Sequence, residues 1–339
     1  MEKTRFLCYT LLALKKEWIL FMWIPVVCGI LCLLFVIAVF AACYWIYTVA
    51  FMSHPKYRND PYYLPDGFDP GTDKETFNKW VKAVDDIPYE AVYITSRDGL
   101  KLKGRYYHTA DNAPVAICMH GYRSHPMKDF CGGGKLLPAL GFNLIIAEQR
   151  GHAESGGNVI TFGVKERFDC IDWIKYAVSR FGEDTKIALY GLSMGAATVL
   201  LACGEKELPK NVTCCIADCP YSSPKAIIQK VSGDIGFPQK AVYPFVALSA
   251  VIYGRFRIGN LSCAEAAKNS PVPILLIHGE ADTFVPEYMS REIAAASPMV
   301  DYHPFPNATH AISWMSDKER YIKIVTEFLQ KNAGADVLS

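Results

Sequence analysis

The period of the hydrophobic positions changes several times along the chain, and each change predicts a different element. Residues 18–52 carry no charge at all. A bilayer core about 30 Å thick takes roughly 20 helical residues, so this run is long enough to span once with some left over. Residues 54–79 lose any sustained period and are rich in Pro, Gly, Tyr and Asp. They read as a loosely packed linker, followed or ended by a short helix over 76–84. Alternating runs then flank Arg97-Asp98-Gly99, the pattern of a β-hairpin.

From residue 114 short apolar runs alternate with runs at helical spacing. Residues 114–119, 143–148, 187–190, 212–217, 274–278 and 300–305 read as strands. Helices are predicted over 127–140, 196–203, 287–295 and 318–331, and over 164–178, where Val164, Phe168, Ile171, Ile174 and Val178 make one apolar face. A hairpin followed by alternating β and α means a mostly parallel sheet covered by helices on both faces. The alternation lapses between Asp218 and Pro273, where two helices are expected, over 224–231 and 239–257. An insertion after a strand's C-terminal end sits where such sheets bind ligands, so residues 221–265 are expected to form a small helical cap. The expected plan is a segment 1–17, an anchor 18–52, a linker 53–87 and one catalytic α/β domain 88–335.

Charge adds an exclusion. Lys plus Arg (35) nearly balances Asp plus Glu (34), so there is no basic field for nucleic acid. The apolar content of 51% has its visible source in 18–52. Trp23 and Trp45 would lie about 33 Å apart on a helix, which suits aromatic belts at the two membrane interfaces. A signal peptide's apolar region is about 7–15 residues, far shorter than this run. Phe40-Ala41-Ala42-Cys43 only faintly resembles a lipoprotein cleavage box, because the residues after Cys43 stay apolar. A retained single-pass anchor is expected. Lys3, Arg5, Lys15 and Lys16 precede it and Lys56 and Arg58 follow it, which favours a cytoplasmic N-terminus and an extracytoplasmic catalytic domain. The twelve cysteines pull the other way; Cys118, Cys214 and Cys215 sit in apolar runs as small buried hydrophobes, and no zinc spacing is present.

The chemistry centres on Gly191-Leu192-Ser193-Met194-Gly195, placed between a strand and a helix. That context makes a nucleophile elbow, in which a tight turn lifts the serine hydroxyl above the sheet. Three loops at strand C-terminal ends carry the remaining groups: His120-Gly121-Tyr122, the run 277–286 with Asp282, and the run 307–311 with His310. Acyl transfer needs a nucleophile, a base, an acid to orient the base, and amide donors for the oxyanion. Ser193, His310, Asp282 and the N–H groups of Tyr122 and Met194 supply one of each. Asp218, at the end of the strand after the elbow, is the rival acid. His120 and His278 each precede a glycine and read as local hydrogen-bonding groups; Arg150 and His152 read as loop braces, and His303 as structural.

From about Ala91 onward the chain resembles an α/β-hydrolase, similar to the dienelactone-hydrolase and prolyl-oligopeptidase branches of bacterial esterase type. The resemblance rests on His120-Gly121, Arg150-Gly151-His152 with Glu154-Ser155-Gly156-Gly157, the elbow, His278-Gly279-x-x-Asp282-x-x-Val285-Pro286, and His310. It implies a Ser193–Asp282–His310 triad with Tyr122 and Met194 as the oxyanion hole. It also implies a reaction that needs no metal or organic cofactor. Ala153 departs from the family motif, which more often has glycine, in a loop near the site. The expected activity is hydrolysis of a small or medium acyl ester. A peptidase of the prolyl-oligopeptidase type is the alternative enzyme, and a non-catalytic binding protein on the same fold is the third reading. Because the span contributes no catalytic group, a chain begun near residue 57 is expected to stay active.

Overall fold

A computed structural model describes residues 2–64, 70–132 and 135–334, with side chains from Phe21 onward except that of Tyr57. Residues 65–69 of the expected linker, 133–134 of the expected 127–140 helix, residue 335 at the domain's end and the side chains of Lys3, Arg5, Lys15 and Lys16 lie outside that description.

All but the last two residues of the uncharged run lie in α1 (Glu2–Ala50), a continuous 49-residue helix. It begins well before the expected span and carries Pro25 in its interior. Within α1, Phe21–Ala50 is long and apolar enough to cross a membrane, and almost none of it is covered by the rest of the chain. Two helices follow, α2 (Pro55–Asn59) and α3 (Lys74–Asp85). The linker is therefore not loose. The Arg58 guanidinium donates to the carbonyls of Ala153 (2.7 Å), Gly157 (2.9 Å) and Ser155. Phe77, Val81 and Val84 of α3, spaced at three and four, are buried in the core. The short helix expected over 76–84 is α3, two residues longer at its start and one at its end. The sequence conceals only the tie through Arg58, since a single charged side chain makes no period.

The hairpin is β1 (Glu90–Thr95) and β2 (Lys101–Tyr107). Then come β3 (Val115–Met119), two four-residue helices α4 (Pro126–Asp129) and α5 (Leu136–Ala139), β4 (Asn143–Ala147) and α6 (Glu166–Phe181). The single helix expected over 127–140 is replaced by α4 and α5, because Gly132, Gly133 and Gly134 fall in its middle and glycine is a poor helix former. The elbow joins β5 (Ile187–Leu192) to α7 (Met194–Cys203), followed by β6 (Val212–Asp218), α8 (Pro224–Asp234), α9 (Gln239–Ile252) and α10 (Cys263–Asn269). The chain closes with β7 (Ile274–Gly279), α11 (Tyr288–Ala296), β8 (Val300–Phe305), α12 (Ser313–Ser316) and α13 (Lys318–Ala333). α9 is shorter than the predicted 239–257, and α10 and α12 are additional.

The eight strands lie in the order β1-β2-β4-β3-β5-β6-β7-β8. β1, β2 and β4 pair antiparallel, and every other neighbour is parallel. Strand alternation sends successive side chains to opposite faces. Val115, Ile117 and Met119 join one core with α6, α7, α10 and α11, while Ala116 and Cys118 join the other with α3 and α13. This is the α/β-hydrolase fold, with helices around a mostly parallel sheet.

α8 and α9 form the expected excursion. α10 does not belong to it, because Cys263, Ala266 and Ala267 are buried against the main core. The cap instead makes a third core with the end of α1, from Tyr47, Phe51, Ile228, Val246, Ala250, Phe256 and Ile258.

Candidate active site

Backbone geometry at the elbow follows from its two glycines. Ser193 has φ 55° and ψ −116°, a conformation that costs about 1–3 kcal/mol and persists only where the surroundings enforce it. A Cβ on Gly191 would stand 2.2 Å from the Gly195 carbonyl oxygen, and one on Gly195 would stand 1.8 Å from that of Met119. No side chain fits at either position, so the turn closes tightly enough to present Ser193. The Ser193 N–H donates to the Asp218 carbonyl at 2.8 Å, which pins the elbow to β6.

His310 reaches this serine from the loop after β8, its Nε2 lying 2.9 Å from Ser193 Oγ. Its Nδ1 lies 2.6 Å from Asp282 Oδ2. The two loops are held together by Glu280 N–H donating to the Phe305 carbonyl (2.9 Å) and Ala281 N–H donating to the Ala308 carbonyl (3.0 Å). Asp282 Oδ1 accepts from the N–H groups of Phe284 (2.9 Å) and Val285 (2.8 Å). Burial alone would push the Asp282 carboxyl up, but the neighbouring His310 and His278 outweigh it and hold the group well below the usual carboxylate range. An ionised Asp282 favours the imidazole tautomer with its proton on Nδ1, in which Nε2 can accept one from the serine.

The loop after β3 comes within reach of the same serine. A Cβ on Gly121 would lie 3.5 Å from the Ser193 Cβ, and the Gly121 N–H is held by Asp129 Oδ2 at 2.6 Å. Tyr122 follows directly, and Met194 is the first residue of α7, where amides carry the positive end of the helix dipole. His120, fully buried, accepts at Nε2 from the Gln149 N–H at 3.0 Å, and burial pulls its pKa down to about 3. His278 bonds Ser290 Oγ (2.6 Å) and the Val285 carbonyl (2.8 Å), bracing the loop that carries Asp282. Arg150 bridges Asp98 and Asp169, and His303 pairs with Asp301. Each of these lies where the sequence places a local or structural group.

Asp218 takes a different role from Asp282. Its Oδ2 accepts from the Tyr321 hydroxyl at 2.9 Å, and Tyr321 in turn lies 2.6 Å from the Tyr190 hydroxyl. Its Oδ1 has no hydrogen-bond partner among the described residues. Burial is the main reason its pKa rises to about 6, against the lowering pull of Tyr321 and the two histidines. The unfolded chain releases this proton near pH 3.9. Between about pH 4 and 6 the native state therefore holds the extra proton, and stability falls as pH rises through that window, by on the order of 3 kcal/mol. Asp218→Asn should flatten this slope in thermal unfolding followed from pH 4 to 7, without loss of stability at pH 7. An unchanged slope would assign the titration to another group.

Cys219, Asp282 and His310 bring ligand atoms within 4.8 Å of one another, the grouping among the described residues with metal-ligand spacing. Its Asp and His atoms are already bonded to each other. Burial, then the charges of Asp218 and Asp282, push the Cys219 thiol well above its usual range, which disfavours the thiolate a metal needs.

The loop after β3 also ties this site to the end of α1. The Tyr122 hydroxyl donates to the Ala50 carbonyl at 2.8 Å. The Arg123 guanidinium donates to the carbonyls of Val49 (2.7 Å) and Met52 (2.9 Å), where a helix end exposes unpaired acceptors and negative dipole. Nothing local in the sequence marks this pairing, beyond one charge directly after His120-Gly121-Tyr122. It changes the expectation for truncation. A chain begun at residue 57 loses these partners of the Tyr122 loop, and its ester turnover should drop on the order of tenfold or more, the worth of one to two charge-assisted hydrogen bonds. A chain begun at residue 40 should keep full turnover in detergent. Equal activity of the two, both folded, would show that the loop holds its shape alone.

The family model of the prolyl oligopeptidase family matches residues 134–336. The chain belongs to that family. It is accordingly a serine hydrolase on an α/β-hydrolase fold. The uncharacterized protein YqkD of Bacillus subtilis is 25% identical over 242 residues, 70% of this chain and 78% of that one. The lysophosphatidylserine lipase ABHD12 of Rattus norvegicus is 23% identical over 243 residues, 66% of this chain and 57% of the relative. Among solved structures, the Pyrococcus furiosus esterase Pf2001 superposes with a TM-score of 0.59 at 24% identity, covering 81% of this chain and 98% of its own. Est1E of Butyrivibrio proteoclasticus, with ferulic acid bound, gives 0.57 at 20% identity over 72% of this chain and 100% of its own. These likenesses carry the fold.

Proposed function

We propose that the protein is a membrane-anchored serine esterase acting through Ser193, His310 and Asp282. The observation that carries the reading is the unbroken chain from Ser193 Oγ to His310 Nε2 (2.9 Å) and from His310 Nδ1 to Asp282 Oδ2 (2.6 Å). Ser193 Oγ attacks the ester carbonyl carbon while His310 Nε2 takes the hydroxyl proton. The carbonyl oxygen becomes an oxyanion, met by the N–H groups of Tyr122 and Met194. His310 then returns the proton to the alcohol oxygen as the carbon–oxygen bond breaks, leaving an acyl-Ser193. Water attacks that acyl group while His310 Nε2 takes its proton. His310 then gives that proton to Ser193 Oγ as the acyl carbon–Oγ bond breaks, and the acid leaves with Ser193 and His310 restored. Asp282 holds the imidazole in the right tautomer throughout. The substrate is a small or medium acyl ester.

The family's name favours a second reading, a peptidase. Rates on p-nitrophenyl butyrate and on a peptide p-nitroanilide separate the two. The esterase reading expects the ester to be turned over at least 10³ times faster relative to its spontaneous hydrolysis; a preference for the anilide would reverse the assignment, and no turnover of either would favour the binding-protein reading.

For placement, the span Phe21–Ala50 is taken as a retained anchor with the N-terminus cytoplasmic and the catalytic domain outside. Lys3, Arg5, Lys15 and Lys16 before the span outnumber Lys56 and Arg58 after it, which favours this orientation. The eleven cysteines with described side chains are all free thiols. An external protease acting on intact cells should digest the catalytic domain; protection would put it inside.

A further inference from the structure

Exposed apolar side chains outside α1 are clustered. Of nine large ones among the described residues, seven fall in two stretches: Ile235, Phe237, Phe245, Leu248 and Val251 in the cap, and Phe284 and Tyr288 beside the site. Single exposed apolar residues are normal on a soluble surface, but a cluster marks a contact. In α9, Phe245, Leu248 and Val251 recur every three residues and share a face, while Val246, Ser249 and Ala250 are buried on the other side. Residues 241–254 carry no charge, and Lys240, Arg255 and Arg257 bracket them. One face of α9 thus packs on the protein and the opposite face is apolar and open.

The contacts with α1 place that open face. Tyr253 at the end of α9 meets Tyr44 at 5.3 Å between ring centroids, and its hydroxyl donates to the Phe40 carbonyl at 3.1 Å. Phe237, just before α9, meets Trp45 edge-on at 6.5 Å. Cys43 Sγ lies 3.8 Å from the Phe245 carbonyl, midway along α9. The residues flanking both ends of a helix about 21 Å long therefore meet one short stretch of α1, residues 40–47. α9 crosses α1 and does not run beside it. Trp45 is the distal member of the tryptophan pair that marks the two interfaces of the span. A helix lying across the anchor at that level lies along the membrane surface.

The same cap end reaches the candidate site. Lys230 of α8 donates to the Thr283 carbonyl and pairs with Asp234 at 2.5 Å. Phe284, next in the chain and exposed, stands edge-on to the His310 ring at 5.0 Å. The stretch from Lys230 in α8 to Phe237 before α9 thus runs from the loop beside His310 to Trp45, with apolar side chains exposed at both ends.

We propose that residues 235–252 are seated in the bilayer interface and that the site draws its acyl ester from the membrane surface. This rests on the anchored-esterase reading and extends its substrate to acyl chains resident in a lipid leaflet. The continuous apolar surface of α1 and the shared level of Trp45 and Phe237 point to lipid as the occupant.

The test uses the full-length protein in phosphatidylcholine vesicles, with photoreactive benzoylphenylalanine in place of Leu248, of Leu31 in the span, or of exposed Glu265 in α10. Crosslinks to lipid are expected from the positions of Leu248 and Leu31 and not from that of Glu265. Lipid crosslinks at Leu31 without any at Leu248 overturn the proposal and leave the anchor standing; none at Leu31 removes the anchor reading itself. Crosslinks from Leu248 to a second copy of the chain also overturn it. In the same vesicles Leu248→Asp, or the milder Leu248→Asn if the first does not fold, should cut turnover of a long-acyl ester embedded in the lipid at least tenfold. Turnover of soluble p-nitrophenyl butyrate should stay within twofold. Loss on neither substrate, or equal loss on both from a folded variant, counts against delivery from the bilayer.

Discussion

Ser193→Ala should lower ester turnover by about 10⁴-fold or more while leaving the fold and substrate affinity nearly unchanged. The replacement removes only Oγ. Alanine keeps the same Cβ, so the φ of 55° costs it no more than it costs serine, and the Ser193 N–H bond to the Asp218 carbonyl survives. What disappears is the atom 2.9 Å from His310 Nε2. Without it the oxyanion donors and binding contacts still act on a direct attack by water, which leaves a residual rate well below the acyl-enzyme route. Steady-state kinetics on p-nitrophenyl butyrate, with a circular dichroism spectrum as the folding control, measure the loss. A folded variant retaining a tenth of wild-type turnover would place the nucleophile elsewhere.

Asp282→Asn should cost on the order of 10⁴ in turnover at neutral pH, and Asp218→Asn far less. The amide matches the carboxylate in shape, and its oxygen still accepts at one position. Its NH₂ group cannot accept from His310 Nδ1–H, so the imidazole turns to the tautomer whose Nε2 carries the proton and cannot take another. Asp218 stands apart from this relay. Among the described residues its carboxylate accepts one hydrogen bond, from Tyr321, and an asparagine oxygen can keep it. Because Asp282 stays ionised far below neutral pH, the loss in Asp282→Asn should not be recovered by raising or lowering pH between 6 and 9. The reverse ranking of the two variants, with both folded, would make Asp218 the orienting acid.

What the sequence made legible follows from local physics. The strands stand out because central parallel strands are buried on both faces and read as unbroken apolar runs, as in 115–119 and 187–190. The elbow is legible because two glycines at fixed offsets are demanded by backbone contacts of 2.2 Å and 1.8 Å. Short helices fare worse. α10 has seven residues, too few for a period, although Ser262 caps it by accepting from the Glu265 N–H, and Ser-x-x-Glu is a start signal. α4 and α5 are only four residues each, divided by the glycine run. Long-range pairings are hidden altogether. Arg123 and Tyr122 find their partners more than 70 positions away, at the end of α1, and no local pattern encodes that distance. The apolar run 241–253 is visible as a helix, but only the fold reveals that half of it faces outward.

The most direct measurement is to locate the covalent adduct left by a fluorophosphonate on the wild-type protein in detergent. A serine made nucleophilic by His310 should capture one phosphonyl group, and peptide mapping by mass spectrometry should place it on Ser193, at full occupancy and blocked by prior incubation with a slow ester substrate. An adduct on any other residue, or a folded protein that takes up none, would contradict the account.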